Sequence, residues 1–326
     1  MKQLSISIFC CLFLFACKTD PKPTITEEFV LVKAPVFNED SAYQQIINQV
    51  NFGPRVPNSE GHKLMGKWLS EQLNMLADTL IIQQAELLAF DGTLLNASNF
   101  IASFNLDAPK RILLSAHWDT RPFADQDDEK QQEPILGAND GASGVAVLLE
   151  VARHLQHEDL NVGIDIILFD AEDYGQPNFS KDDYMPDSYC LGSQHWAKNP
   201  HVANYKADFG ILLDMVGAPN AVFTHEGTSV NYANNQLQDV WKIAHALGLN
   251  SYFSYVQTPP ITDDHLYVNK IAKIPMIDII QYDKTTNSGF GWYWHTHQDN
   301  LDAIDKKTLK AVGQTVLQTV FQENNK

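Results

Sequence analysis

The chain has 326 residues, a formal net charge of −17, an apolar content of 44% and four cysteines. So strong a negative balance works against binding to a polyanion and excludes nucleic acid as a partner. Beyond the N-terminus no stretch is long and apolar enough to span a bilayer.

Met1-Lys2 precedes an apolar run from Leu4 to Ala16, and Leu14-Phe15-Ala16-Cys17 has the form of a bacterial lipobox. Residues 1–16 are therefore expected to be a signal peptide, with Cys17 lipidated at the start of an exported, membrane-anchored chain. The anchor would place the protein in the periplasm or at an outer membrane. Loss of Lys2 takes the charge to −18, and loss of Cys10 and Cys11 leaves only Cys17 and Cys190, so no internal disulfide framework is expected. Cys190 reads as a buried small apolar residue. Residues 17–36 mix charge with proline and read as a tether. Residues 37–326 show no repeat, low-complexity tract or linker and read as one domain, expected to be a monomer.

From residue 41 to 76 apolar positions return at helical spacing, interrupted around Gly53-Pro54. Ser59 reads as the N-cap of a helix running through Leu64, Trp68, Leu69 and Leu73. Strand patterns follow near residues 79–84, 111–116, 163–169, 208–213 and 274–280. Helical patterns lie near 142–156, 234–247 and 306–321. This alternation predicts an α/β fold, a mostly parallel sheet covered on both faces.

Several of the predicted strands end in chemistry. The run Asp165-Ile166-Ile167-Leu168-Phe169 passes into Asp170, Glu172 and Asp173, acids expected at the carboxyl end of a buried strand. On an extended backbone two adjacent acids point opposite ways, so one can hold a metal while its neighbour faces a substrate. A second strand opens into His117-Trp118-Asp119, and a third ends at Asp214. Glycines surround Asp140 just before a helical pattern, and His295 and His297 share the loop Trp292–Asn300. Imidazole nitrogen and carboxylate oxygen are donors that zinc accepts, with one position left open in an enzyme. Spacing alone does not choose between His295 and His297.

The order HxD, GANDGASG, DxED, LLDMVGA and WHT..DN resembles the zinc aminopeptidase superfamily and, within it, the animal-type glutaminyl cyclases, from about residue 40 onward. The resemblance implies a three-layer sandwich with a mixed central sheet, and makes 37–326 a zinc-dependent catalytic domain. It implies one zinc per chain held by Asp140, Asp173 and His295. It places Glu172 as acid/base, Asp214 and Asp263 in the acid network beside it, and Trp294 in the substrate pocket. It also assigns His297 no ligand role. Two departures stand out: Asp173 occupies a position where the family commonly has Glu, and residues 174–189 contain no Trp where the animal enzymes carry one.

The reaction so implied cyclises an N-terminal Gln of a peptide or protein. The α-amine attacks the side-chain amide carbon, and pyroglutamate forms as ammonia leaves. An exported two-zinc aminopeptidase is the competing reading. Its second metal would use His117 and Asp214 with Asp140 bridging, and all three residues are present. Trp294 before His295, the run Asp263-Asp264-His265 and Arg121-Pro122-Phe123 favour the cyclase.

Overall fold

Short runs of branched apolar residues form the middle of the sheet, and the chain alternates between them and amphipathic helices. A computed structural model of the protein describes residues 29–325; the expected signal peptide and Cys17 lie outside these residues. In chain order the elements are α1 (Glu39–Val50), α2 (Glu60–Leu76), β1 (Thr79–Leu88), β2 (Leu94–Phe104), β3 (Arg111–His117), α3 (Ala142–Leu155), β4 (Gly163–Phe169), α4 (Leu191–Lys198), β5 (Phe209–Asp214), β6 (Phe223–His225), α5 (Gly227–Ala246), β7 (Phe253–Gln257), α6 (Asp264–Tyr267), β8 (Met276–Ile280) and α7 (Lys306–Asn324).

Six strands form a mixed sheet in the order β1-β2-β4-β3-β5-β8, and β6 and β7 form a small parallel pair. Pairings β4/β3, β3/β5 and β5/β8 are parallel, whereas β1/β2 and β2/β4 are antiparallel. Side chains alternate between two cores, as strand geometry requires. Ile112, Leu114, Ile164, Ile166, Ile211 and Ile277 face the larger core with Val145, Leu148 and Val312. Leu113, Ile167, Phe169, Leu212 and Met276 face Trp196, Val268 and Ile274 on the opposite side. Helices thus cover both faces, the expected three layers.

One charge does sit inside a central strand, and it is fully paired. Asp165 in β4 accepts from Ser103 Oγ at 2.5 Å, Arg111 Nε at 2.7 Å and Tyr205 OH at 2.6 Å. Those bonds offset the cost of its burial.

Several expectations need correction. Strand β2 was not anticipated, because Asn96, Ser98, Asn99 and Ser103 interrupt its apolar pattern. Helix α5 begins at Gly227 rather than at residue 234, with a break in helical geometry at Ala233 (φ −139°, ψ 35°). Its polar first turns hide the helical period; Glu226 caps them by accepting from Thr228 N and Ser229 N. The tether expected as far as residue 36 is packed from residue 32 onward. Gln318 Nε2 donates to Val32 O (2.8 Å), Gln314 Nε2 to Pro35 O (3.0 Å) and Phe37 N to Gln314 Oε1 (2.9 Å), strapping this segment along α7.

Candidate active site

Strands β4, β3 and β5 are parallel neighbours, so their carboxyl ends open on the same edge of the sheet, where α/β folds gather their chemistry. His117 ends β3 and Asp214 ends β5. Beyond β4 the backbone does not stay extended: Ala171 takes φ 53°. The presentation of Glu172 and Asp173 therefore comes from a held turn, not from strand alternation. Asp119 clamps that turn from one side, accepting from Glu172 N at 3.1 Å and Asp173 N at 3.2 Å. On the other side Asp170 accepts from Ser98 N at 2.6 Å and meets His62 Nε2 at 2.9 Å. Helix α4 comes so close here that a Cβ on Gly192 would stand 2.1 Å from Asp170 O, so only glycine fits.

Two donor sets meet at Asp140. His295 Nε2 lies 3.2 Å from Asp173 Oδ1 and 3.9 Å from Asp140 Oδ2. His117 Nε2 lies 3.0 Å from Asp140 Oδ1 and 3.2 Å from Asp214 Oδ1. In each set, Asp140–Asp173–His295 and His117–Asp140–Asp214, the ligand atoms lie within 4.8 Å of one another. Asp173 Oδ2 is buried without a hydrogen-bond partner. Burial and the charge of Asp140 push the Asp173 carboxyl above its ordinary range, while His295 opposes them. Crowded carboxylates, imidazole nitrogens and an orphaned oxygen are the donor chemistry of a divalent cation, and they fit zinc. Asp140 N and Asn139 N both donate to Asp299, at 2.9 and 2.7 Å, which fixes the loop ahead of α3. His297 turns away and pairs with Asp127 Oδ2 at 2.9 Å.

All seven residues singled out from the sequence line one cavity of about 420 Å³: Glu172, Asp214, Asp263, Asp140, Asp173, His295 and Trp294. Trp294 stacks on His295 with ring centroids 3.8 Å apart, and Phe290 packs on Trp294 at 4.7 Å. Tyr184 and Tyr189 line the wall formed by the loop after Asp173. Burial drives the Glu172 carboxyl well above the usual carboxylate range; Asp173, Asp263 and Asp264 add to this, and His117 works against it. Burial and Asp140 push Asp214 up to about 7. Asp263 is the N-cap of α6, its carboxylate accepting from Asp264 N.

The sequence pointed to no role for Asp119, Asp125 or Asp299, and for Cys190 it gave burial but no polar contact. That residue is buried, but its thiol donates to Glu172 Oε1 at 3.0 Å. For Asp119 a signal was available, its place two residues after His117. Cys190 and Asp299 reach partners more than 15 residues away, as does Asp125 toward His295, and these contacts carry no local signature.

The Peptidase family M28 profile matches residues 99–320. A solved glutaminyl cyclase from Bacteroides thetaiotaomicron, bound to N-acetylhistamine, is similar with a TM-score of 0.87 and 50% identity, covering 89% of this chain and 99% of that one. A solved Zn-dependent exopeptidase from Parabacteroides distasonis gives 0.87 and 51% over the same shares. The glutaminyl-peptide cyclotransferase of Boiga dendrophila is 27% identical over 252 residues, 69% of this chain and 65% of that protein. The match thus spans less than two thirds of that curated relative's length. Profile, architecture and the donors at the strand ends agree, and the chain belongs to Peptidase family M28.

Proposed function

We propose that the protein is a glutaminyl-peptide cyclotransferase acting on peptides or proteins with an N-terminal Gln. The observation that carries this reading is the position of Glu172. Its carboxyl lines the same cavity as Asp140, Asp173 and His295, under an aromatic wall made by Trp294, Phe290 and Tyr189. The half-identity to a protein described as a glutaminyl cyclase supports it.

The cavity holds an N-terminal residue with its α-amine and side-chain amide together, so the reacting atoms need only be oriented. Glu172 takes a proton from the attacking α-amine and returns one to the amide nitrogen that leaves as ammonia. Its raised affinity for protons brings it toward the working range, and burial with the neighbouring Asp173, Asp263 and Asp264 maintains that shift. Asp119 keeps the Glu172 backbone in place through its carboxylate. Asp140, Asp173 and His295 would hold one zinc ion, and what that ion supplies when bound is Lewis-acid polarisation of the γ-carbonyl.

A second reading has one specific observation in its favour. The His117–Asp140–Asp214 set shares Asp140 with the first, as a two-metal aminopeptidase would require. Metal content measured together with product separates the two, on the chain lacking residues 1–17 and given a Gln-initiated peptide. About one zinc per chain, released ammonia and a product lighter by one ammonia are expected. Two metals and a free amino acid would instead make the protein an aminopeptidase. The reading also includes export as a monomer with a lipid at Cys17; Cys17→Ser should move the protein out of the membrane fraction, and membrane retention would refute the anchor.

A further inference from the structure

Between the donor set and the pocket wall lies a buried ion pair that the proposed chemistry does not use. Arg121 is fully buried, and Asp125 is 5% exposed. They meet as a two-pronged fork: Arg121 Nε donates to Asp125 Oδ1 at 2.8 Å and Nη2 to Oδ2 at 2.9 Å. Such a pair is planar and orientationally strict. Burying two charges this deeply brings little stability by itself, because desolvation offsets the attraction. What the pair touches is more informative.

Asp125 Oδ1 lies 3.2 Å from His295 Nδ1, on the side of the ring opposite the Nε2 that faces Asp173 and Asp140. Arg121 Nη1 donates to the main-chain oxygen of Asp173 at 2.9 Å. The same two side chains reach the pocket wall. Arg121 Nη1 donates to Gly175 O at 3.4 Å, and Asn178 N donates to Asp125 Oδ2 at 2.8 Å. The guanidinium also lies 5.2 Å from the ring centroid of Tyr189, which lines the cavity.

We propose that Arg121 and Asp125 are positioning residues for the metal centre, holding the His295 ring and the Asp173 main chain so that both aim their donors at one ion. An imidazole that ligates through Nε2 keeps its proton on Nδ1, and a carboxylate facing Nδ1 fixes that tautomer and the ring plane. Asp125 is the carboxylate nearest that nitrogen, 3.2 Å away though not aligned as a hydrogen bond, and Arg121 fixes Asp125 while tying down the second ligand. Because Gly175 and Asn178 hang on the same support, the wall of the substrate pocket is set by the residues that set the metal. The proposal rests on the assignment of Asp140, Asp173 and His295 as the metal ligands. It is independent of which reaction the site performs.

The test is zinc affinity, by competition with a chelator, on the full chain purified in detergent and stripped of metal. Asp125→Asn should weaken zinc binding about 10- to 100-fold. Asp127→Asn, which removes the partner of His297, should leave it unchanged. A purely structural ion pair would lower the melting temperature of Asp125→Asn without moving the affinity, and that outcome overturns the proposal. If Asp125→Asn does not fold, nitrogen NMR of His295 in the zinc-loaded wild type decides. A proton on Nδ1 with the metal on Nε2 supports the assignment, and metal on Nδ1 overturns it. Wild-type protein that binds no zinc overturns this inference together with the metal assignment. Zinc binding without cyclase activity would overturn only the reading of the reaction.

Discussion

Glu172 sits among groups that disfavour its charge, and its one side-chain donor among the described residues is the Cys190 thiol, 3.0 Å from Oε1. A thiol is a weak donor, so it steers the carboxylate without holding the charge as firmly as an amide or guanidinium would. Glu172→Gln should fold and bind zinc yet lose about 10²- to 10⁴-fold in turnover, since Gln cannot accept and return the proton. Near-normal rates would remove Glu172 from the role. Cys190→Ala should lower kcat about fivefold, an effect of the size of one modest hydrogen bond, while Cys190→Ser restores it. If the thiol were only filling space, the apolar Ala would be tolerated better than the buried hydroxyl. The strand-end acids were legible because a charge after an apolar run has few places to go. The contacts of Cys190 with Glu172 and of Asp125 with His295 were not, because each is made by the chain folding back on a distant segment.

Among the elements, the same division appears between local pattern and distant partner. Strands β3, β4 and β5 are buried along nearly their whole length, so their apolar runs announce them. Strand β2 has the same burial over its second half, but its Asn and Ser side chains find partners far away. Asn99 Nδ2, for instance, donates to Gly192 O at 3.0 Å. The first turns of α5 were missed for a related reason. Their stability comes from Glu226, which accepts from Thr228 N at 2.6 Å and Ser229 N at 2.7 Å and meets His265 Nε2 at 3.0 Å. Burial alone would raise the Glu226 carboxyl, but the hydrogen bond and charge of His265 and the two N–H donors bring it down to about 2. A carboxylate whose folded pKa lies below its unfolded value stabilises the fold above the unfolded value, near 4.5, and loses that contribution as pH falls toward 2. Glu226→Gln should therefore cost about 2 kcal/mol at neutral pH. The gap to wild type should close between about pH 4.5 and 2, read from urea denaturation at a series of pH values. A gap that stayed constant down to pH 2 would show that the charge of Glu226 contributes nothing.

At the scale of the whole molecule, the question is where the folded unit begins, because that decides how much chain is left as a leash to the expected anchor. Residues 31–326 form one compact unit. The segment ahead of α1 is bound along α7 through Gln314, Gln318 and Gln322, the last accepting from Val32 N at 3.1 Å. Phe37 closes it. Its side chain is fully buried and fills the space that a side chain on Gly313 would occupy. Helix α7 also reaches the site: Asp305, its N-cap, donates through its backbone N–H to Gly217 O at 2.7 Å, three residues beyond Asp214. The strap thus braces the helix that braces the end of β5. Phe37→Ala should cost about 3–5 kcal/mol, the usual loss for emptying a buried aromatic site. A chain beginning at residue 38 should lose at least as much, since it also gives up the glutamine hydrogen bonds, while one beginning at residue 29 should match the full-length domain. Urea midpoints of the three chains decide the matter. Equal stability of the chains beginning at 29 and 38 would return residues 31–37 to the tether and lengthen the leash accordingly. The expected order would make residues 31–37 part of the folded unit.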